Sequence, residues 1–190
     1  MIFPPRRIDR IVRGLAKGEV IAYPTEGVWG LGCLPDLEAA VTRILAIKQR
    51  SWTEGLILVA SKISHVDRYL DGISEKKRRL LEYTWPAPVT FLVPDNGHVP
   101  SWIKGDHDKV ALRVSKHPTV STICHALGGP IVSTSANPTG QSPALTATQV
   151  RQYFGNEIDL LVPGNLTGLN GPSEIRDLDT GEIIRSRSVR

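Results

Sequence analysis

The chain has 190 residues, 41% apolar and 22% charged, with a formal net charge of +4. This length suits one soluble domain with its own core, residues 1–190, and the composition excludes a disordered or fibrous chain. Moderate basicity admits nucleic acid or phosphorylated small molecules as partners without selecting either.

The opening stretch MIFPPRRIDRIV lacks the apolar run of a leader peptide. No segment approaches the about 18 continuous apolar residues of a membrane span, so the expectation is a cytoplasmic protein without membrane contact. Cys33 and Cys124 stand far apart with no second thiol or histidine-rich segment beside either. That spacing predicts neither a disulfide nor a thiolate zinc site, and it suits a reducing compartment.

Ile8, Ile11, Val12 and Leu15 recur at helical spacing, with Gly18 as a stop. VIAYP (20–24) reads as a short buried strand, running into a glycine-bearing loop over 25–32. Asp36 is placed to cap a second helix whose apolar face is Val41, Ile44 and Leu45, and GLILVA (55–60) follows as a strand. A helical pattern near 62–70, a helix from Ser74 to about Tyr83, strands in PVTFLVP and KVALRV, and a helix after Pro118 closed by Gly128 come next. PIVSTS is a strand, and Thr146 with Gln149 forms a capping box for a helix to about Phe154. IDLLVP is a further strand, and SEIRDL with GEIIRS forms a hairpin across Asp179-Thr180-Gly181. The fold class expected from this alternation is α/β, a mixed, partly parallel sheet flanked by helices, with ligand beyond the strand ends.

Five segments can carry chemistry. YPTEGVWGLG (23–32) offers Thr25 at a strand end among glycines, which equally serve an ordinary turn; it is neither a Walker A loop nor a dinucleotide fingerprint. KQRSWTEG (48–55) places Lys48 and Arg50 at a helix end, to complement its dipole or to hold phosphates. Arg113 interrupts an apolar strand, where it needs either a buried ion pair or a ligand, and His117 before Pro118 reads as a loop residue. In STSAN (133–137) the hydroxyls of Ser133 and Ser135 share one side of a strand. Without a nucleophile elbow or an assignable base, they suggest binding rather than covalent attack. NGPSEIRD and Arg185 form a late loop and hairpin that, taken singly, read as surface.

Together, in this order and spacing, AYPTEGVWGLG, KQR before GLILVA, WPAPVTF, ALRVSKHP, PIVSTSANPTG and PSEIRD closely resemble the YrdC/TsaC family of threonylcarbamoyl-AMP synthases, over about residues 8 to 185. The resemblance implies a twisted α/β sheet with a large concave, basic cavity. It also implies a nucleotidyltransferase that joins L-threonine, bicarbonate and ATP into threonylcarbamoyl-adenylate, releasing pyrophosphate, for N6-threonylcarbamoyladenosine formation in tRNA.

Position by position, the resemblance places Thr25, Asn137 and Tyr23 at threonine or its carbamate, and Arg113 near threonine and the nucleotide. It makes Lys48 and Arg50 a phosphate-binding pair and puts Ser133, Ser135, Ser173 and Arg185 near the nucleotide. Mg²⁺ would be held by ATP phosphates, with no metal-ligating residues in the protein. The expected partners are the TsaB, TsaD and TsaE proteins and tRNA, and the expected state is a monomer.

Two departures stand out. Glu54 lies where the family often has a second lysine, and Ser186-Arg187 follow Arg185 where glycine is common. The rival readings are a non-catalytic maturation factor binding double-stranded RNA or rRNA through a basic concavity, and a carbamoyl-transfer domain of the kind embedded in hydrogenase maturation proteins.

Overall fold

In the computed structural model, which describes residues 3–186, the N-terminal apolar stripe lies buried along α1 (Pro5–Ala16), which a proline opens where its missing N–H costs nothing. Removing side chains such as Ile11 and Leu15 from water contributes roughly 1.5–3 kcal/mol each. β1 (Ile21–Pro24) turns back directly into β2 (Trp29–Gly32), so residues expected to form a loop make a second strand. Gly30 and Gly32 are strand residues lying against the Tyr23 ring, and the lack of side chains there hides the strand from a propensity reading.

α2 (Glu38–Lys48) starts without a side-chain cap because Leu37 holds the N-cap position; Asp36, one residue earlier, meets Arg68 at 2.9 Å, and the capping role expected of it is not taken up. After β3 (Ile57–Ala60), the stretch expected to be helical near 62–70 forms two short 3₁₀ turns, Ile63–His65 and Asp67–Tyr69. Ser74 caps α3 (Glu75–Thr84), and β4 (Val89–Pro94), the single turn α4 (Ser101–Lys104) and β5 (Lys109–Val114) follow. His117 caps α5 (Pro118–Leu127), which ends at left-handed Gly128. β6 (Ile131–Ser135) precedes α6 (Ala147–Phe154), opened by the expected Thr146–Gln149 capping box. β7 shrinks to Leu160–Leu161, while β8 (Glu174–Asp177) and β9 (Ile183–Arg185) form the expected antiparallel hairpin.

Among the described residues the nine strands join one sheet, in the order β7-β1-β2-β6-β3-β5-β4-β8-β9. The pairs β1–β7, β3–β5 and β4–β8 are parallel and the remaining pairs antiparallel. Side-chain alternation decides what each face does. On one face Leu58, Phe91, Leu112 and Val132 pack with Val41 and Ile44 of α2 and Leu81 of α3. On the other, Tyr23, Val59 and Ile131 pack under α1 and α5, through Ile11, Leu15, Val120 and Ile123. The two helices cover only part of that second face. Beyond them the floor continues as a lateral row, Ser133, Ile57, Ala111, Leu92 and Asp177, contributed by β6, β3, β5, β4 and β8.

Candidate functional site

That uncovered floor forms a cavity of about 630 Å³. β6 explains why hydroxyls replace aliphatics at its edge. Ile131 lies within the helix-covered core, and the next residues on the same side, Ser133 and Ser135, emerge into the cavity. The walls come from the β1–β2 turn at Thr25 to Val28, from Arg50 and Glu54 to Leu56, from Leu169 and Gly171 to Ser173, and from Arg185 on β9.

Arg50 reaches the cavity because α2 ends at Gln49 in the left-handed conformation (φ 54°), with the Arg50 N–H donating back to Leu45 O at 2.9 Å. Its guanidinium meets Glu54 at 3.1 Å and the Gly55 carbonyl at 3.1 Å, while Nε is buried without a partner. Glu54, the acid in place of a second lysine, is therefore engaged with Arg50. The Arg113 guanidinium donates to Glu26, and its own Nε is also buried without a partner. Burial pushes the Glu26 carboxyl up, but Arg113 and the Ser115 hydroxyl outweigh it and hold it below the usual range. Arg185 donates from Nε and Nη2 to Ser173 O at 3.2 and 2.8 Å, and among the described residues it pairs with no carboxylate. Burial lowers the Arg185 pKa, and the nearby charges of Arg113 and Arg50 lower it further. Arg50, Arg113 and Arg185 thus line one cavity, and a bound anion would relieve the repulsion that Arg185, which has no carboxylate of its own among the described residues, meets from the other two.

Seven of the expected residues line the cavity: Thr25, Arg50, Arg113, Ser133, Ser135, Ser173 and Arg185. Thr25 spends its hydroxyl on the turn, donating to Val28 O at 2.6 Å, and Ser173 shares a hydroxyl contact with Thr90 at 2.8 Å. The other three sit behind the wall. Tyr23 is fully buried, and burial raises its phenol pKa. Lys48 is 2% exposed and donates to the carbonyls of Ser135 and, at 2.7 Å, Asn137; burial first, then Arg50, lowers its pKa to about 8. Asn137 directs its amide N–H groups to Pro138 O and Gln141 O at 3.0 and 2.8 Å, leaving Oδ1 buried without a partner. Lys48 and Asn137 therefore brace the strand end on which Ser135 stands. Arg187 lies outside the described residues.

The lining also holds residues that sequence reasoning gave no role. Lys109 and Asp177 pair at 2.6 Å at the far end, and Lys104 binds Asp95. Charge along the cavity is consequently mixed, and of the three arginines only Arg185 lacks a carboxylate partner among the described residues. Glu26 was visible in the PTE segment, but only its contacts give it a task. Among the described residues no group of three His, Cys, Asp or Glu side chains is placed to hold a metal ion. Glu26, Glu54 and Asp177 are each already engaged by a cation. Cys33 and Cys124 are free and buried, which pushes both thiols up to about 12. No helix among the described residues is long and apolar enough to cross a membrane.

Comparison with known proteins places this geometry among relatives. The Sua5/YciO/YrdC family model, described as telomere recombination, matches residues 13–187. A protein named threonylcarbamoyl-AMP synthase from Hahella chejuensis is 49% identical over 178 residues, 94% of this chain and 97% of its own length. The crystal structure of P. abyssi Sua5 complexed with L-threonine aligns with a TM-score of 0.86 at 28% identity, covering 93% of this chain and 52% of that one. This chain thus spans about half of the P. abyssi protein. E. coli YciO aligns with a TM-score of 0.85 at 26% identity, covering 97% and 91%.

Proposed function

The chain belongs to the Sua5/YciO/YrdC family, and from that premise we propose that it is a threonylcarbamoyl-AMP synthase acting on L-threonine, bicarbonate and ATP. The observation that carries the reading is the convergence of Arg50, Arg113 and Arg185 on one cavity whose floor ends in Ser133 and Ser135. The relatives' name supports it, as does the threonine complex of a similar structure.

The threonine amine nitrogen forms a bond to the bicarbonate carbon, a C–O bond breaks, and the departing hydroxyl takes the amine proton and leaves as water, giving a carbamate. A carbamate oxygen then forms a bond to the α-phosphorus of ATP, the bond to the bridging oxygen breaks, and pyrophosphate leaves with the electron pair. This step needs positioning and charge neutralisation rather than a protein nucleophile. Arg50 and Arg185 face the phosphates, Arg113 faces the amino acid, and the Ser133 and Ser135 hydroxyls line the adenylate. Lys48 and Asn137 act from behind by holding the strand end. ATP enters as its Mg²⁺ complex, the ion carried by phosphate oxygens and water, consistent with carboxylates already committed to cations. The product is consumed in tRNA modification in the cytoplasm, with TsaB, TsaD and TsaE as partners and this chain acting as a monomer.

The test is pyrophosphate release from ATP, with threonine and bicarbonate each present or omitted, and mass spectrometry of the adenylate. Release requiring both, with Arg50→Ala and Arg185→Ala each raising the KM for ATP about tenfold or more, is expected. No release in any combination, alongside tight salt-dependent binding of double-stranded RNA, would instead favour the RNA-binding reading.

A further inference from the structure

Glu26 stands at the junction of three parts of the cavity wall. It is 6% exposed, and both carboxylate oxygens are committed. Oε2 accepts from Nη2 of Arg113, and Oε1 accepts from the Ser115 hydroxyl at 2.8 Å. Ser115 is itself fixed, its oxygen accepting the His117 N–H at 3.0 Å. The Glu26 carbonyl accepts from Leu169 N–H at 3.0 Å, tying in the opposite wall. Each oxygen thus spends a lone pair on a fixed partner inside the wall, and the contact through Oε2 aims the Arg113 guanidinium.

Two comparisons within the site indicate what Arg113 is aimed at. The Arg113–Glu26 pair is buried, with side chains 11% and 7% exposed, so water and salt do not loosen it. The Arg50–Glu54 pair, 28% and 46% exposed, is open to exchange with an incoming anion. Arg185 has no carboxylate partner among the described residues and keeps its whole charge. A guanidinium neutralised by a fixed carboxylate is a directional donor rather than a strong local charge. It suits one planar carboxylate better than a polyphosphate. Nη1 and Nε of Arg113 remain without protein partners among the described residues.

We propose that Glu26 is a positioning residue for the amino-acid half of the reaction, holding Arg113 so that its guanidinium meets the α-carboxylate of the substrate. The proposal rests on the synthase reading for the identity of that amino acid. Glu26 thereby governs affinity for threonine and leaves ATP to Arg50 and Arg185.

The test measures the KM values for L-threonine and for ATP separately, together with thermal midpoints, for the full chain carrying Glu26→Gln or Ser115→Ala. Calorimetric titration of L-threonine without ATP accompanies it. Glu26→Gln should raise the threonine KM and Kd about tenfold, as misaligning a charge-assisted hydrogen bond does. Ser115→Ala should move both in the same direction by about threefold, since one of the two acceptor contacts survives. The KM for ATP should stay within about twofold in each variant. A purely structural role would lower the midpoint and the apparent kcat and leave both KM values in place. Threonine Kd equal to wild type in both variants, or ATP KM rising in parallel, would overturn the proposal; should Glu26→Gln fail to fold, Ser115→Ala decides alone. Absence of adenylate from the wild-type protein would overturn the synthase reading instead, while the threonine titration still judges Glu26.

Discussion

Asp177, on the cavity floor, is held by Lys109 at 2.6 Å and accepts the backbone N–H groups of Asp179 and Thr180 at 2.8 and 3.0 Å. Burial opposes its charge, yet these donors win and bring its pKa from 3.8 to about 2. A carboxylate depressed in this way stabilises the fold fully above its unfolded pKa, and that contribution is lost as pH falls from about 4 towards 2. Asp177→Asn should cost roughly 1–2 kcal/mol in urea unfolding at pH 7, and the deficit should shrink as the pH falls through that window. A deficit independent of pH would mean packing, not charge, is what Asp177 supplies. At this scale the sequence displayed residue types but not their partners. Arg113 posed a choice between buried ion pair and ligand contact, and it does both, pairing with Glu26 while lining the cavity. Lys48 and Arg50, two positions apart, read as one phosphate-binding pair; across the left-handed Gln49 between them, Lys48 is buried and Arg50 lines the cavity.

At the scale of elements, the β1–β2 turn shows a close approach that only glycine permits. A methyl group at Gly27 would collide with the Gly171 carbonyl oxygen and sit 3.0 Å from Leu169 O. Gly27→Ala should therefore displace the 169–172 segment and destabilise the protein by about 1–3 kcal/mol. Faster amide hydrogen exchange confined to that segment would show it; unchanged exchange there would mean the gap absorbs the methyl group. Helices with caps and stripes were legible because their signals are local: the Thr146–Gln149 box and the Ile8, Ile11, Leu15 stripe lie where expected. β2 was not, since its two glycines carry turn character and their strand identity comes from pairing with β1 and β6. Asp36 likewise had the right type for a cap, but the helix begins one residue later, with Leu37 at the N-cap, and Asp36 turns to Arg68 instead.

Across the whole molecule, the cavity is assembled from segments between Thr25 and Arg185, so ligand binding must couple distant parts of the sheet. MgATP with threonine at about 100 times Kd should add about 2.7 kcal/mol of stability, seen as a rise in thermal midpoint of about 5–10 °C. No shift under those conditions would mean that the cavity does not hold these substrates. The sequence by itself determined the α/β class, most helix limits, the family resemblance and the residue types of the site, because periodicity, capping and short motifs are written in neighbouring residues. Tertiary structure alone decided that one face of the sheet stays half uncovered, that Lys48, Tyr23 and Asn137 stand behind the wall, and that Glu26 holds Arg113 across 87 positions. Those outcomes depend on strand order and side-chain facing across the sheet, and no local pattern encodes which distant partner a buried charge will meet.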